Sequence, residues 1–273
     1  MPSYLIVGAS RGIGYAWLQY LSQDPANTVI GLARTPAPVE EQLAKDGIKN
    51  VHIIPGDMTS HAAMAKAAEL AIPLLPSGLD HLIVNGAHFG NAAFFLGPTD
   101  FSSAAQSQAL HDDMHQSLDT NVLGTVYSIN AFLPLVLKGT AKKIVAITTG
   151  WADPDISRPA DDGAEGLPFA MVYSAMKAAL NMVIAKYAAE LQSQGVITLA
   201  LSPGVVNTSN NQPTPEDMGQ MMKMFGVFRR YYPSFEGPTT PLASVEDQKK
   251  VIDGLTIADT GKFLSHHGNK EWL

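Results

Sequence analysis

A tyrosine and a lysine four residues apart have a spacing that suits chemistry at a carbonyl or alcohol group. They begin and end the run Tyr173-Ser174-Ala175-Met176-Lys177, at the start of a predicted helix over 173–191. Residues four apart lie on one helix face, so the phenol and the ammonium can share a site. A neighbouring cation stabilises a phenolate and lowers the pKa of a tyrosine from its usual value of about 10. The pair therefore suits general acid/base work, although the same spacing also occurs on amphipathic surface helices.

A glycine-rich turn follows the first predicted strand and opens the first predicted helix. It consists of Gly8, Ala9, Ser10, Arg11, Gly12, Ile13 and Gly14. Glycines at such a junction let the backbone approach a pyrophosphate, whose charge then lies at a helix N-terminus. The position predicts a dinucleotide-binding turn, and the alternative is a plain structural turn.

The end of the second predicted strand indicates which dinucleotide would bind. A carboxylate there pairs with a free ribose 2′-hydroxyl, whereas an arginine accommodates a 2′-phosphate. This strand ends at Arg34, and Arg11 supplies a second cation from the glycine turn. We therefore expect NADP(H) to be favoured over NAD(H), the alternative being two solvated surface arginines.

The elements that would position these residues alternate between short apolar strands and longer helical segments. Strands are predicted at 4–7, 28–32, 51–54, 81–85, 143–148, 197–201 and 263–264, and helices at 13–21, 62–70, 118–137 and 173–191. This order predicts an α/β fold, a doubly wound parallel seven-stranded sheet in a single domain over residues 1–273. Two segments, 151–171 and 209–241, break the alternation, as functional lids or loops do.

Composition excludes several classes of protein. The 25 acidic and 18 basic side chains give a net charge of −7, and no basic block is present, so nucleic acid is not an expected partner. The absence of Cys excludes disulfides and thiol chemistry. We expect no signal peptide and no membrane span, and hence a cytoplasmic protein. His111 and His115 have a metal-ligand spacing without an evident third ligand, so no metal is expected.

Several residues together resemble the short-chain dehydrogenase/reductase family, in order and over nearly the whole chain. They are the glycine turn, Asp57, the run Asn85-Gly86-Ala87, Asn121, the pair Thr148-Thr149, the Tyr173/Lys177 pair and the dipeptide Pro203-Gly204. The C-terminal residues Gly261, Lys262, Phe263, Gly268 and Trp272 are similar to the small carbonyl-reductase and C-factor-like branch. The resemblance implies a Rossmann fold and hydride transfer between a nicotinamide and a carbonyl or alcohol carbon.

The resemblance also implies roles for individual residues. Tyr173 would be the general acid/base, and Lys177 would lower its pKa and hold the nicotinamide ribose. Asn121 would anchor a water that relays protons to Lys177. Thr149, preferred over Thr148 by alignment with the motif, would hold the substrate oxygen. The cofactor would be held by the glycine turn (Gly8, Ser10, Arg11, Gly12, Ile13, Gly14), Arg34, Asp57, Met58, Asn85, Gly86, Ala87, Asn121, Tyr173, Lys177, Pro203, Gly204, Val206 and Thr208.

Three departures from the family pattern stand out. Thr149 replaces the usual Ser and adds a methyl group that crowds the pocket. The insertion 151–171 lengthens the gap before Tyr173, so we expect it to bulge out, with its acidic residues Asp153, Asp155, Asp161, Asp162 and Glu165 in solvent. Gly86 and His88 stand where the family has Asn and Gly, and His88 should lie near the cofactor or the pocket.

The substrate side predicts a bulky, hydrophobic carbonyl compound. Met and aromatic residues cluster in 209–241, where the family has its substrate lid, and Met218, Met222 and Phe225 are candidate contacts beside Thr149 and His88. The alternative is a helix packing its apolar stripe on the domain or on another subunit. The helices 118–137 and 173–191 carry apolar positions that resemble the family's dimer surface, and the sequence leaves a monomer, a homodimer and a homotetramer open.

Two other functions remain open from the sequence. The Thr replacement and the insertion fit a fold reused for non-redox catalysis, such as an isomerase or cyclase, with a bound dinucleotide. A dinucleotide-sensing binding protein without turnover is the other. The set of Tyr173, Lys177 and Asn121 favours the reductase, because a sensor has no chemical need for it.

Overall fold

A computed structural model describes residues 1–90, 94–159, 166–208 and 215–273. Its strands are β1 (Ser3–Val7), β2 (Thr28–Ala33), β3 (Val51–Pro55), β4 (His81–Val84), β5 (Lys143–Ile147), β6 (Ile197–Ser202) and β7 (Lys262–Ser265). Its helices are α1 (Gly12–Leu21), α2 (Pro36–Lys45), α3 (His61–Ala71), α4 (Ala104–Ser117), α5 (Gly124–Lys138), α6 (Pro154–Ser157), α7 (Met171–Leu191), α8 (Pro215–Tyr231) and α9 (Pro241–Gly254). A π-helical segment, Leu118–Leu123, joins α4 to α5.

The seven strands form one parallel sheet in the order β3-β2-β1-β4-β5-β6-β7. The order reverses between β1 and β4, and ligands of open α/β sheets bind beyond the carboxyl ends of the strands at such a switch point. The glycine turn after β1 and the run Asn85-Gly86-Ala87 after β4 therefore meet at this place. The predicted doubly wound, seven-stranded α/β fold is confirmed.

Both faces of the sheet are covered, which explains why its central strands are apolar along their whole length. In β1, Leu5 and Val7 belong to one core cluster, whereas Tyr4 and Ile6 belong to the other. Trp17 of α1 is fully buried in the second cluster. Because successive side chains of a strand point to opposite faces of the sheet, the apolar residues of β1 contribute to both cores.

Helix α9 was not predicted, because polar side chains hide its buried face. Ser244 and Gln248 are buried beside Val245 and Ile252. Their burial is made possible by hydrogen bonds, since Gln248 Nε2 donates to Ser244 Oγ and Ser244 Oγ donates to Pro203 O. An apolar period read from the sequence misses such a helix.

The insertion 151–171 does not bulge out as expected. Ile156 and Leu167 are buried in a third apolar cluster, together with Met224 and Phe228 of α8. Asp153 caps the short α6 by accepting from Asp155 N. The described part of the insertion therefore packs on the domain instead of bulging out, while Asp155 is exposed as expected. Asp161, Asp162 and Glu165 lie outside the described residues.

Within the described residues, one helical run is long and apolar enough to cross a membrane, by length and composition only. The run Ala104–Lys138 contains a window of mean hydropathy 1.4. Half of that window is buried inside the protein, where α5 packs on the sheet. Core helices of soluble proteins also meet this criterion.

We expect His81 to make the fold sensitive to acid. His81 stacks on Tyr4 with 4.5 Å between ring centroids, and its Nδ1 has no hydrogen-bond partner among the described residues. Burial, aided by nearby Lys143, lowers the pKa of His81 from 6.5 to about 4. Below pH 6.5 the unfolded chain therefore binds a proton that the folded chain excludes until about pH 4, so stability falls as pH falls through this window.

His81→Phe keeps the stacking and removes the titration. Between pH 7 and pH 4 the wild type should lose about 3 kcal/mol more free energy of unfolding than this variant, measured by urea unfolding. His52→Gln, at an exposed position on β3, is the control and should follow the wild type. An equal pH dependence in the wild type and His81→Phe would refute the assignment.

Candidate active site

The glycine turn and the loop after β4 approach each other too closely for side chains. Gly8 and Gly12 have positive φ angles of 80° and 56°. A Cβ on Gly8 would lie 2.5 Å from Gly86 Cα, and one on Gly14 would meet Gly8 O. The backbone N–H groups at the start of α1 are thereby exposed to a ligand in the crevice. This geometry fits the pyrophosphate of a dinucleotide.

Asn85 ties the two loops together. Its Nδ2 donates to Gly8 O at 3.1 Å, and the backbone N–H groups of Asn85 and Gly86 both donate to Val7 O. Gly86 fits because the Met58 sulfur occupies the place of a Cβ there. Met58 is thus buried beneath the loop, and Asp57 accepts from Thr59 N and Oγ1. The structure therefore gives the side chains of both Asp57 and Met58 partners within the protein.

Arg11 and Arg34 both lie beyond the carboxyl ends of two neighbouring strands, β1 and β2. Arg11 directly precedes α1 and Arg34 directly follows β2, which pairs with β1. Both are exposed, as is Ser10, and within the described ranges neither guanidinium forms an ion pair. The two cations are therefore available to a phosphate at the end of β2.

The loop after β6 closes the crevice from the opposite side. Gly204 has φ 79° and packs on the ring of His266, while Val206 pairs with Thr239 in an isolated bridge. The side chain of Thr208 lies 3.2 Å from where a Cβ on Gly12 would be. The segment from Pro203 to Thr208 thus reaches back to the glycine turn, as a cofactor cleft requires.

Tyr173 and Lys177 lie in the first turns of α7, with the Lys177 Nζ 5.8 Å from the centre of the Tyr173 ring. Lys177 is almost fully buried and donates to Ile147 O at 2.7 Å, at the end of β5. The helix and the strand end thus hold the ammonium under the phenol. The backbone of Ala170, which has a positive φ of 56°, starts α7 and donates to Phe94 O.

Burial dominates the electrostatics of this pair in the protein alone. It raises the pKa of Tyr173 to about 12 and lowers the pKa of Lys177 to about 7. Burial is the cause of both shifts, and it moves the pKa of Tyr173 upward, opposite to the lowering that was expected from Lys177. The phenol is protonated at neutral pH and can act as a proton donor.

Thr148 and Thr149 have different environments. Thr148 is buried, and its hydroxyl contacts Lys177 O at 3.5 Å. Thr149 is partly exposed, and its Oγ1 accepts from Trp151 N at 3.3 Å. That bond uses a lone pair and leaves the hydroxyl proton of Thr149 able to bind a substrate oxygen. The choice of Thr149 over Thr148 as the substrate-binding hydroxyl stays a prediction.

Asn121 lies in the π-helical segment, a distortion frequent at functional sites. Its Oδ1 accepts from His88 N at 2.8 Å and its Nδ2 donates to His88 O at 3.0 Å. The amide thus fixes the loop after β4, while Lys177 bonds to Ile147 instead. The His88 imidazole contacts Asp113 of α4, with 2.9 Å between Nε2 and Oδ1.

An aromatic wall that the sequence analysis missed surrounds Tyr173. We give this name to Phe89, Phe94, Trp151 and Phe169, which come from three separate loops. Phe89 and Trp151 meet the Tyr173 ring edge-on, with centroids 4.9 Å and 6.4 Å away. Phe94 contacts the other three wall residues. The sequence signal that could have identified them is the occurrence of large aromatic side chains in loops between the predicted elements.

The predicted substrate contacts of α8 fall on two different faces. Met218 and Met222 are 54% and 62% exposed, whereas Met224 and Phe228 are buried against the insertion and Trp151. Phe225 is partly buried on Phe235. The helix turns its Met224/Phe228 stripe inward, so Met218 and Met222 lie on its exposed face, and their contact with a substrate stays a prediction. The part of the proposed lid at 209–214 lies outside the described residues.

His111 and His115 face each other on the exposed side of α4, with 3.0 Å between their Nε2 atoms. Within the described ranges no cluster of three His, Cys, Asp or Glu side chains suits a metal ion.

Comparison with known proteins agrees with this geometry. A sequence model of the family described as short chain dehydrogenase matches residues 3–219. The short-chain dehydrogenase/reductase AacuF of Aspergillus aculeatus is 41% identical and the short chain dehydrogenase virK of Hypocrea virens 37% identical, each over 100% of both chains. An NADPH-bound carbonyl reductase from chicken fatty liver has a TM-score of 0.72 at 25% identity, covering 98% of each chain.

Proposed function

Since the chain belongs to the short-chain dehydrogenase/reductase family, a family of oxidoreductases, we propose that it is an NADPH-dependent reductase of hydrophobic, aromatic ketones or aldehydes. One observation carries the proposal: a protonated Tyr173 lies above the buried Lys177, beside a crevice shaped for a dinucleotide and against an aromatic wall. This arrangement brings a proton donor, a cofactor cleft and an apolar substrate surface to one edge of the sheet.

The roles of the residues follow from their positions. The reduced nicotinamide supplies a hydride when bound. Thr149 donates a hydrogen bond to the carbonyl oxygen and so polarises it. The Tyr173 hydroxyl would deliver its proton to that oxygen, which together with the hydride on the carbonyl carbon would give the alcohol. Lys177 stabilises the phenolate that remains until a proton from solvent restores the phenol.

The aromatic wall supports the choice of substrate class. Rings that meet edge-on or tilted, as Phe89, Phe94 and Trp151 do around Tyr173, offer flat faces and ring edges to another aromatic system. The aromatic wall consists of three Phe side chains and one Trp. A polar aliphatic substrate would therefore lose its bound water there without gaining hydrogen bonds to the protein. We therefore propose a flat, apolar carbonyl compound.

The test is the absorbance at 340 nm of NADPH with purified protein and a panel of ketones and aldehydes. The proposal expects NADPH oxidation with naphthyl or other fused-ring ketones, and slower oxidation with branched aliphatic ones. Tight NADPH binding without oxidation across the whole panel would contradict it and would favour non-redox catalysis or dinucleotide sensing.

Arg11 and Arg34 should set the preference for NADPH. In the double variant Arg11→Ala/Arg34→Ala, we expect the Kd of NADPH to rise by about 100-fold, because each lost charge-assisted hydrogen bond to the 2′-phosphate contributes about 1.5 kcal/mol. The Kd of NADH should change by less than about threefold. Cofactor fluorescence titration measures both values.

Two other exposed arginines provide the control for that experiment. Arg229→Ala/Arg230→Ala removes the same charge from the end of α8. This control should bind NADPH like the wild type. An equal loss of NADH and NADPH affinity in the Arg11/Arg34 variant would contradict the assignment to the 2′-phosphate.

A further inference from the structure

His88 and Asp113 form a partly buried pair beside the candidate active site, and the proton and hydride transfers proposed above use neither side chain. The His88 side chain is 27% exposed and the Asp113 side chain 13%. The Nε2 and Oδ1 atoms are 2.9 Å apart. A carboxylate so little exposed needs a hydrogen-bonded partner, and within the described parts of the chain Asp113 has this one. The pair therefore restrains both α4 and the loop after β4.

Asp113 also shapes the next residues of that loop. A Cβ on Gly90 would coincide with the Asp113 carboxylate, so the backbone of the loop folds closely over that side chain. The loop segment 88–90 thus touches Asp113 at both of its ends. Asn121 holds the same segment from the π-helical side through the backbone N–H and C=O of His88.

The residue between these fixed points contacts the proton donor. Phe89 packs edge-on against the Tyr173 ring at 4.9 Å and is tilted on Phe94 at 4.6 Å. Phe89 is nevertheless 43% exposed, so the burial of its ring contributes little to keeping the side chain in this position. The position of the ring therefore depends on the backbone on either side of it, which Asp113 and Asn121 immobilise.

We propose that Asp113 is a positioning residue which, through His88, holds Phe89 against Tyr173 and so selects flat aromatic ketones over branched aliphatic ones. This inference rests on the proposed ketone reduction and adds a determinant of specificity. Phe89 contacts the Tyr173 ring edge-on, and a ring held in that position would limit the width of a substrate bound beside the phenol. Release of the segment would relax this limit and admit branched substrates.

The experiment compares kcat/KM for 2-acetylnaphthalene and for pinacolone, a branched aliphatic ketone. In Asp113→Ala and in Phe89→Leu, the ratio of the two values should fall by at least about 10-fold, because small displacements near reacting atoms have large effects on rate. In the double variant the ratio should be within about twofold of the ratio in either single variant, as expected for residues that act through one another. The Kd of NADPH should stay the same.

Asp112→Ala is the matched control. Asp112 is the preceding residue of α4, is 60% exposed and lies 3.4 Å from its neighbour His111. It should keep the wild-type ratio. His88→Leu removes the other partner of the pair, and it replaces Asp113→Ala in the test if that variant does not fold. A ratio within about twofold of the wild type in the folded variant, or the same fall in Asp112→Ala, overturns the proposal.

Hydrogen exchange decides the positioning step without any turnover. The His88 N–H, bonded to Asn121, should exchange at least about 10-fold faster in Asp113→Ala than in the wild type or Asp112→Ala. Unchanged exchange refutes the restraint. If the wild type reduces neither ketone, the proposed reductase function fails, while the exchange rates still decide whether Asp113 holds this loop.

Discussion

Tyr173→Phe should abolish ketone reduction and leave the Kd of NADPH within about twofold of the wild-type value. The substitution removes the hydroxyl that donates the proton and keeps the ring on which Phe89 and Trp151 pack. Positioned proton transfer contributes about 10²- to 10⁴-fold to a rate, so kcat should fall by roughly 10³-fold. Steady-state NADPH oxidation and fluorescence titration measure the two quantities.

Tyr187→Phe is the matched control for this variant. Tyr187 lies on the same helix, its hydroxyl donates to Asn130 Oδ1 at 2.7 Å, and burial raises its pKa to about 12, as for Tyr173. Removal of this hydroxyl should leave kcat unchanged. Turnover by Tyr173→Phe at more than about a tenth of the wild-type rate would disprove its role as general acid.

Lys177→Met should inactivate the protein and at the same time stabilise it without cofactor. Burial lowers the pKa of Lys177 from 10.5 to about 7, which means that the fold pays for holding an ammonium at neutral pH. Removal of the charge should raise the free energy of unfolding at pH 7 by roughly 3 kcal/mol, after the lost bond to Ile147 O is allowed for. We expect kcat to fall by at least about 100-fold.

The pH dependence of this gain has a definite sign. Between pH 7 and 10.5 the unfolded wild type binds a proton at Lys177 that the folded state releases, so wild-type stability rises with pH across this window. The advantage of Lys177→Met should therefore shrink as pH increases. Thermal unfolding at pH 7 and pH 9 measures it, with Lys186→Met, at an exposed position of α7, as control. A destabilised Lys177→Met at pH 7 would contradict the burial argument.

Local patterns in the sequence were enough to predict the sheet and the chemical pair. Strands buried on both faces appear as short apolar runs, and the glycine turn after β1 is recognisable from its neighbours. Tyr173 and Lys177 share a helix, so their proximity follows from helical geometry alone. These features depend on residues near one another along the chain.

The substrate side could not be predicted in the same way, because it is built from contacts between distant residues. Phe89 and Trp151 meet Tyr173, and Phe169 packs on Trp151, only when three loops fold over the sheet. For α8, the composition showed many Met and aromatic residues but not which stripe packs inward: Met224 is buried, whereas Met222 is exposed. The reversal of the Tyr173 pKa likewise reflects burial, which no local spacing reveals.

The most direct test of hydride transfer uses NADPH labelled with deuterium at C4 of the nicotinamide. We would incubate the protein with both C4-monodeuterated epimers in turn and an aromatic ketone that it accepts, and analyse the product by mass spectrometry. The proposal predicts an alcohol that carries one deuterium on the former carbonyl carbon with one epimer and none with the other. A product without deuterium from either epimer, with NADPH left unconsumed, would contradict hydride transfer and favour non-redox catalysis.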